Sequence, residues 1–165
     1  MDVSVRWWTN RDSPQVLDIQ RLSGVTNHPK NYFIELLGER TVVGCVAEKG
    51  DRVLGYMIYE VFKNRLEVIH FEVHPEFRRQ KVGFQMFGNL MEKCQKQDRR
   101  FITCVVPEYN MSMCLFLRKM GAVCRQVRRN CFENSNESGY YFEYYLGSWA
   151  ISQTNDELLN LEGAE

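Results

Sequence analysis

Three apolar runs of strand length, at residues 41–48, 53–62 and 66–73, are joined by short turn-type connections, Lys49-Gly50-Asp51 and Lys63-Asn64, each followed by one arginine. Connections this short join antiparallel neighbours, so the spacing predicts a three-stranded meander. The third run passes straight into His74-Pro75-Glu76-Phe77-Arg78-Arg79-Gln80-Lys81-Val82-Gly83-Phe84. Beyond it Met86, Phe87, Leu90, Met91 and Cys94 recur at the spacing of one helix face. A strand-to-helix junction of this kind gathers backbone N–H groups at the positive end of a helix. Arg78, Arg79 and Lys81 add charge beside them, which suits a compact anion bearing phosphate.

The flanking segments complete a mixed α/β plan. Residues 3–9 read as a first strand, with Trp7 and Trp8 on opposite faces. Ser13-Pro14 predicts a helix start with Ser13 as the cap, and Gly24 its end. A second helix is expected after Pro29, with Tyr32, Phe33, Leu36 and Leu37 as its apolar face and Gly38 as its stop. Gly88 inside the third helix costs about 1 kcal/mol of propensity, so close approach to a strand is expected there. Residues 101–106 form a fifth strand ended by Pro107, and Asn110 caps a fourth helix that stops at Gly121. A final hairpin pairs 123–132 with 140–146. Residues 1–147 are read as one domain and 148–165 as a loosely held acidic tail.

Composition narrows the partners. The chain has 165 residues, 44% hydrophobic and 25% charged, enough for one substantial core. It shows no apolar run long enough to span a membrane and no secretion-signal plan at the N-terminus, so a cytoplasmic protein is expected. Six cysteines without a CxxC pair are expected to be reduced and buried, with no metal site. The net charge of zero conceals an asymmetry: residues 77–130 carry twelve Lys/Arg and three acids, whereas 131–165 carry seven acids and no Lys/Arg. A nucleic-acid partner is a competing reading of the basic segment, but no reader motif accompanies the charge, and none is expected.

The element order and the loop together resemble the GNAT superfamily of acyl-CoA-dependent N-acyltransferases. Its signature, Gln/Arg-x-x-Gly-x-Gly/Ala between the fourth strand and the third helix, is matched by Arg78-Arg79-Gln80-Lys81-Val82-Gly83. Asn110…Leu117-Arg118-Lys119-Met120-Gly121 resembles the family's later Asn…Tyr-x-x-x-Gly-Phe segment. Within the superfamily the chain is most similar to the ribosomal-protein-alanine N-acetyltransferases, through Val73-His74-Pro75-Glu76-Phe77 and Arg128-Arg129-Asn130. The resemblance implies an α+β fold with a central mixed sheet of about seven strands and helices on both faces. It implies acetyl-CoA as co-substrate and a primary amine as acceptor, either a protein N-terminus or a small molecule.

The resemblance also assigns residues. The backbone of Phe71, Glu72 and Val73 would hold the acetyl and pantetheine end. The amides of Arg78, Arg79, Gln80, Lys81, Val82 and Gly83 would take the pyrophosphate, and Asn110 the pantetheine arm. Lys81 stands where the motif has its first glycine, and Val105 and Leu117 stand where the ribosomal-protein enzymes carry a glutamate base and a tyrosine acid. A base at the start of the fourth strand would be Glu67. Its parity with Ile69 and Phe71 predicts an apolar face that raises its pKa. Glu72 and His70, expected on the opposite face, are the second choice. The competing reading is a non-catalytic acyl-CoA-binding module that has kept the fold. The final hairpin could support a homodimer.

Overall fold

The computed structural model describes residues 3–24, 28–29, 31–132 and 136–147. The acidic segment 148–165 lies outside them. The expected α+β class is borne out, with seven strands and four α-helices in mixed order among the described residues. Two compact units divide the chain, one comprising 1–62 with 66–92 and the other 63–65 with 93–165.

In the first unit β1 (Ser4–Trp7), β2 (Val42–Lys49), β3 (Arg52–Val61) and β4 (Arg65–Val73) pair antiparallel in sequence order. The predicted meander is therefore present, extended at one edge by β1. Helices α1 (Ser13–Ser23) and α2 (Tyr32–Leu37) cover one face. Val16 and Ile19 of α1 and Phe33 of α2 meet Val46, Tyr56 and Ile58 in one buried cluster. Trp8 packs there against Phe33 and Tyr56, while Trp7 is 58% exposed, as alternation along a strand requires. On the other face Gly55 lets Met86 of α3 (Val82–Lys96) approach, for a Cβ at Gly55 would sit 3.2 Å from its sulfur.

Three local expectations need correction. Ser13 is the first residue of α1 and not its cap; a 3₁₀ turn, Asn10–Asp12, precedes it. Asp12 is committed to that turn, accepting from the Thr9 amide (2.7 Å) and hydroxyl (2.9 Å) and from the Arg6 guanidinium (2.8 Å). Gly24 does end α1 in the left-handed region (φ 64), but Gly38 closes α2 in a right-handed conformation (φ −75). A Cβ added to Gly88 would meet nothing within 4 Å, so no close approach offsets its helix cost.

The second unit holds β5 (Phe101–Pro107), α4 (Met111–Lys119), β6 (Val123–Arg128) and β7 (Gly139–Tyr145), with β7 between β5 and β6. Asn110 caps α4 as expected, its side chain accepting from the Met113 amide (3.2 Å). β6 stops four residues short of its predicted end, because the chain turns at Asn130 in a left-handed conformation (φ 48). β6 is the edge of the β5-β7-β6 order and is exposed along most of its length. All six cysteines are free thiols, but Cys124 on this edge and Cys131 beyond it are exposed, against the expected burial.

Candidate active site

The junction after β4 is built by its own polar atoms. Pro75–Phe77 forms a 3₁₀ turn, with the His74 ring nitrogen Nδ1 accepting from the Glu76 amide (3.3 Å). Arg52 anchors this turn, pairing with Glu76 (2.8 Å) and lying 4.5 Å above the Phe77 ring. Arg78 Nε donates to the Val73 carbonyl (3.1 Å), and Gln80 Nε2 donates to the Glu76 carbonyl (2.7 Å). These bonds fold 73–80 back on itself, so the predicted residues from Val73 to Gly83 form one compact group.

Arg79 (φ 60) and Lys81 (φ 65) both occupy the left-handed region. Left-handed residues in such a turn aim successive amides into a concavity that binds anions. The position where the motif has glycine therefore keeps a glycine-like backbone although its residue is lysine, and the side chain is exposed to solvent. The α3 ladder begins with Gln85 N to Lys81 O (3.0 Å), so the helix starts directly out of this turn. Val82 is fully buried and pins the helix start, and Gly83 follows it in the first turn.

The register of β4 corrects the expected face of Glu67. Tyr59 pairs with Val68 but Ile58 pairs with His70, so Ile69 is an extra residue, a β-bulge. The bulge inverts parity. Glu67 opposes Glu60, His70 opposes Ile58 and Glu72 opposes Tyr56, and these three partners share one face of β3. Glu67 therefore lies with His70 and Glu72 on the α1–α2 side. Phe71 and Val73 oppose Met57 and Gly55 on the α3 side. Glu67 is half-buried at a polar row, not buried on an apolar face.

Glu72 is 8% exposed, and Ser23 at the end of α1 donates a hydrogen bond to it. Its charge and the burial of Tyr56 push the Tyr56 hydroxyl well above the ordinary tyrosine range, burial being the larger cause. His70 was only a second choice on sequence, and Tyr32 and His28 were not singled out as functional. The structure gathers all three: the Tyr32 hydroxyl lies 3.0 Å from His70 Nε2, and His28 stacks on Tyr32. Nothing in local spacing could have paired residues 32 and 70. In the second unit Val105 is half-buried and Leu117 buried, so neither supplies a proton-transfer group. A cavity of about 380 Å³ lies elsewhere in the first unit, lined by Ile19, Leu22, Arg52 and His74 among others, and contains none of the predicted site residues.

A strand that runs into an amide cradle at a helix start defines a class of α/β proteins that hold a phosphate-bearing co-substrate at a strand end. The chain belongs to the acetyltransferase (GNAT) family, whose model matches residues 4–122. As a member it is an acetyl-CoA-dependent N-acetyltransferase by class. It is 24% identical, over 81% of its length and 89% of the relative's, to a Bacillus subtilis (strain 168) protein provisionally named a ribosomal protein bS18-alanine N-acetyltransferase. Its fold matches the ribosomal-protein-S18-alanine N-acetyltransferase of Escherichia coli with a TM-score of 0.77 at 14% identity, covering 88% of this chain and 95% of that one. It also matches Arabidopsis thaliana NAA60, solved in complex with acetyl-CoA, with a TM-score of 0.74 at 11% identity, covering 88% and 99%.

Proposed function

We propose that this chain acetylates a protein N-terminal amine by direct attack on the acetyl-CoA thioester, within a catalytic domain spanning residues 1–147. The observation that carries the reading is the 78–83 turn, with its two left-handed residues, at the start of α3. In this reading its amides take the pyrophosphate, and the backbone of Phe71 to Val73 holds the thioester. Position 81 contributes an amide as readily from lysine as from glycine. Protein N-termini are favoured as acceptors because the Bacillus subtilis and Escherichia coli relatives are named as ribosomal-protein-alanine N-acetyltransferases. A cytoplasmic location fits such substrates, and among the described residues no helix is long and apolar enough to cross a membrane.

Attack requires an unprotonated amine, a donor to the developing oxyanion and a proton for the departing thiolate. The polar row Glu67, His70 and Glu72 on β4 brings together side chains able to accept a proton. The non-catalytic reading retains one observation in its favour, the apolar residues Val105 and Leu117.

Calorimetry with acetyl-CoA followed by thiol release with a panel of N-terminal peptides tests the reading. Saturable binding with turnover of at least one peptide is expected. Binding without any turnover would leave the non-catalytic module, and no binding would remove both. Reversing charge at Arg78 and Arg79 should weaken acetyl-CoA binding about tenfold at low salt and less at high salt. Equal affinity would detach the cradle from the phosphates.

A further inference from the structure

The α1–α2 face of β4 carries a buried polar group whose geometry is more specific than its packing requires. His70 follows the bulge at Ile69 directly and is 9% exposed. Its Nε2 lies 3.0 Å from the Tyr32 hydroxyl. His28 stacks on Tyr32, with ring centroids 3.9 Å apart and planes within 11°, and meets His70 edge-on at 5.0 Å. Phe33 walls the group at 5.5 Å from His70. The His28 Nε2 is buried with no hydrogen-bond partner. A buried imidazole nitrogen left in that condition calls for an explanation beyond core packing.

We propose that His70 accepts a proton from the incoming ammonium and that Tyr32 passes it to solvent, with His28 as a positioning residue for Tyr32. The inference rests on the acetyl-transfer reading above. Phe71 and Val73 face α3, whose leading loop is the pyrophosphate cradle; His70 and Glu72 face away from it. An amine that attacks from the side opposite the body of the cofactor enters over His70. The ammonium N–H bond breaks, leaving its electron pair on nitrogen, and His70 Nδ1 gains the proton. The Nε2 proton moves to the Tyr32 oxygen, and the Tyr32 hydroxyl proton leaves to water. The amine pair then forms the C–N bond, the C–S bond breaks, and the second nitrogen proton goes to the CoA thiolate.

Burial lowers the His70 pKa to about 4, and burial also lowers that of His28. A neutral imidazole with a hydrogen-bonded exit suits handing a proton onward better than storing it. The titratable groups on the face of His70 are His28 and Tyr32 from the α2 side, Tyr56 and Glu60 from β3, and Glu67 and Glu72 from β4. α1 presents the uncharged Ser23, which is bonded to Glu72.

The test uses the full chain, acetyl-CoA and an N-terminal peptide that the parent acetylates, with pH–rate profiles of the parent, His70→Gln and Tyr32→Phe. His70→Gln should lower kcat about 10²–10³-fold with acetyl-CoA affinity and circular dichroism unchanged. Its residual rate should climb about tenfold per pH unit up to the pKa of the peptide amine, because only amine that is already neutral reacts. The parent should level off at lower pH, and Tyr32→Phe should fall between the two. A folded His70→Gln with the parent's kcat and profile overturns the proposal. Should His70→Gln not fold, ¹⁵N-histidine NMR on the parent decides: alanine amide added to the CoA-saturated protein should shift the His70 imidazole signals, and unmoved signals overturn the proposal. A parent that binds acetyl-CoA but acetylates no peptide overturns the acetyl-transfer reading instead, and the NMR arm still reads His70 separately.

Discussion

Lys81 holds a backbone conformation that costs a residue with a side chain about 1 kcal/mol relative to glycine. Lys81→Gly should therefore raise the melting temperature by about 2–4 °C in a chain of this size, read by thermal denaturation. A fall would show that contacts of the lysine side chain outweigh the strain. Two buried groups divide the acid sensitivity. The pKa of His70 in the fold, about 4, is below its ordinary value near 6.5, so as pH falls the unfolded chain takes up the proton first. The stability that His70 contributes is complete above about pH 6.5 and is lost on descent towards pH 4, about 3 kcal/mol in all. The guanidinium of Arg6 holds the Asp12 carboxyl well below the usual range. Its contribution is present above about pH 4 and is lost only as pH falls further. Urea unfolding at pH 7, 5 and 3 should show the first loss vanish in His70→Gln and the second in Asp12→Asn. At pH 7, Asp12→Asn should itself cost about 2 kcal/mol.

At the scale of elements, helix and strand positions were largely legible because each depends on local periodicity. The i, i+4 recurrence from Met86 to Cys94 is α3, and the two short turns between residues 41 and 73 define the meander. Asn110 was readable as a cap because a cap acts three residues away. The bulge at Ile69 had one local trace: the apolar and polar alternation from Leu66 to Val73 breaks at Val68-Ile69. Parity counted straight through that break puts Glu67 on the wrong face, and pairing with β3 shows the extra residue. That one residue moves Glu67 to the face of His70 and Glu72, so the site changed more than the fold did. Gly88 supplies the prediction at this scale. It lies inside α3 with open space around its missing Cβ, so Gly88→Ala should stabilise the protein by about 1 kcal/mol in chemical denaturation. Destabilisation would mean that a close neighbour does occupy that space.

For the whole molecule, the separation of charge along the chain has a consequence for binding. Twelve of the 21 Lys/Arg fall between residues 77 and 130, the segment that opens with the cradle. A ligand that binds only the folded chain stabilises it by mass action. Acetyl-CoA at a hundred times its dissociation constant should add about 2.7 kcal/mol. Thermal shift at graded acetyl-CoA concentrations measures this, and a melting temperature that does not respond would contradict the family's co-substrate for this chain. The same titration at high salt should give a smaller shift, since the charges of the cradle are exposed and screened.

The amino-acid sequence alone determined the order of strands and helices and the class of ligand, because both reside in contiguous stretches whose spacing and charge act locally. Only the tertiary structure decided which side chains share the face from which an amine would approach. His28, Tyr32 and His70 are brought together by α2 folding over β4, and a single bulge sets which β4 residues they meet. Contacts across tens of residues leave no periodic trace in a sequence, whereas the bulge leaves only the adjacent apolar pair Val68-Ile69.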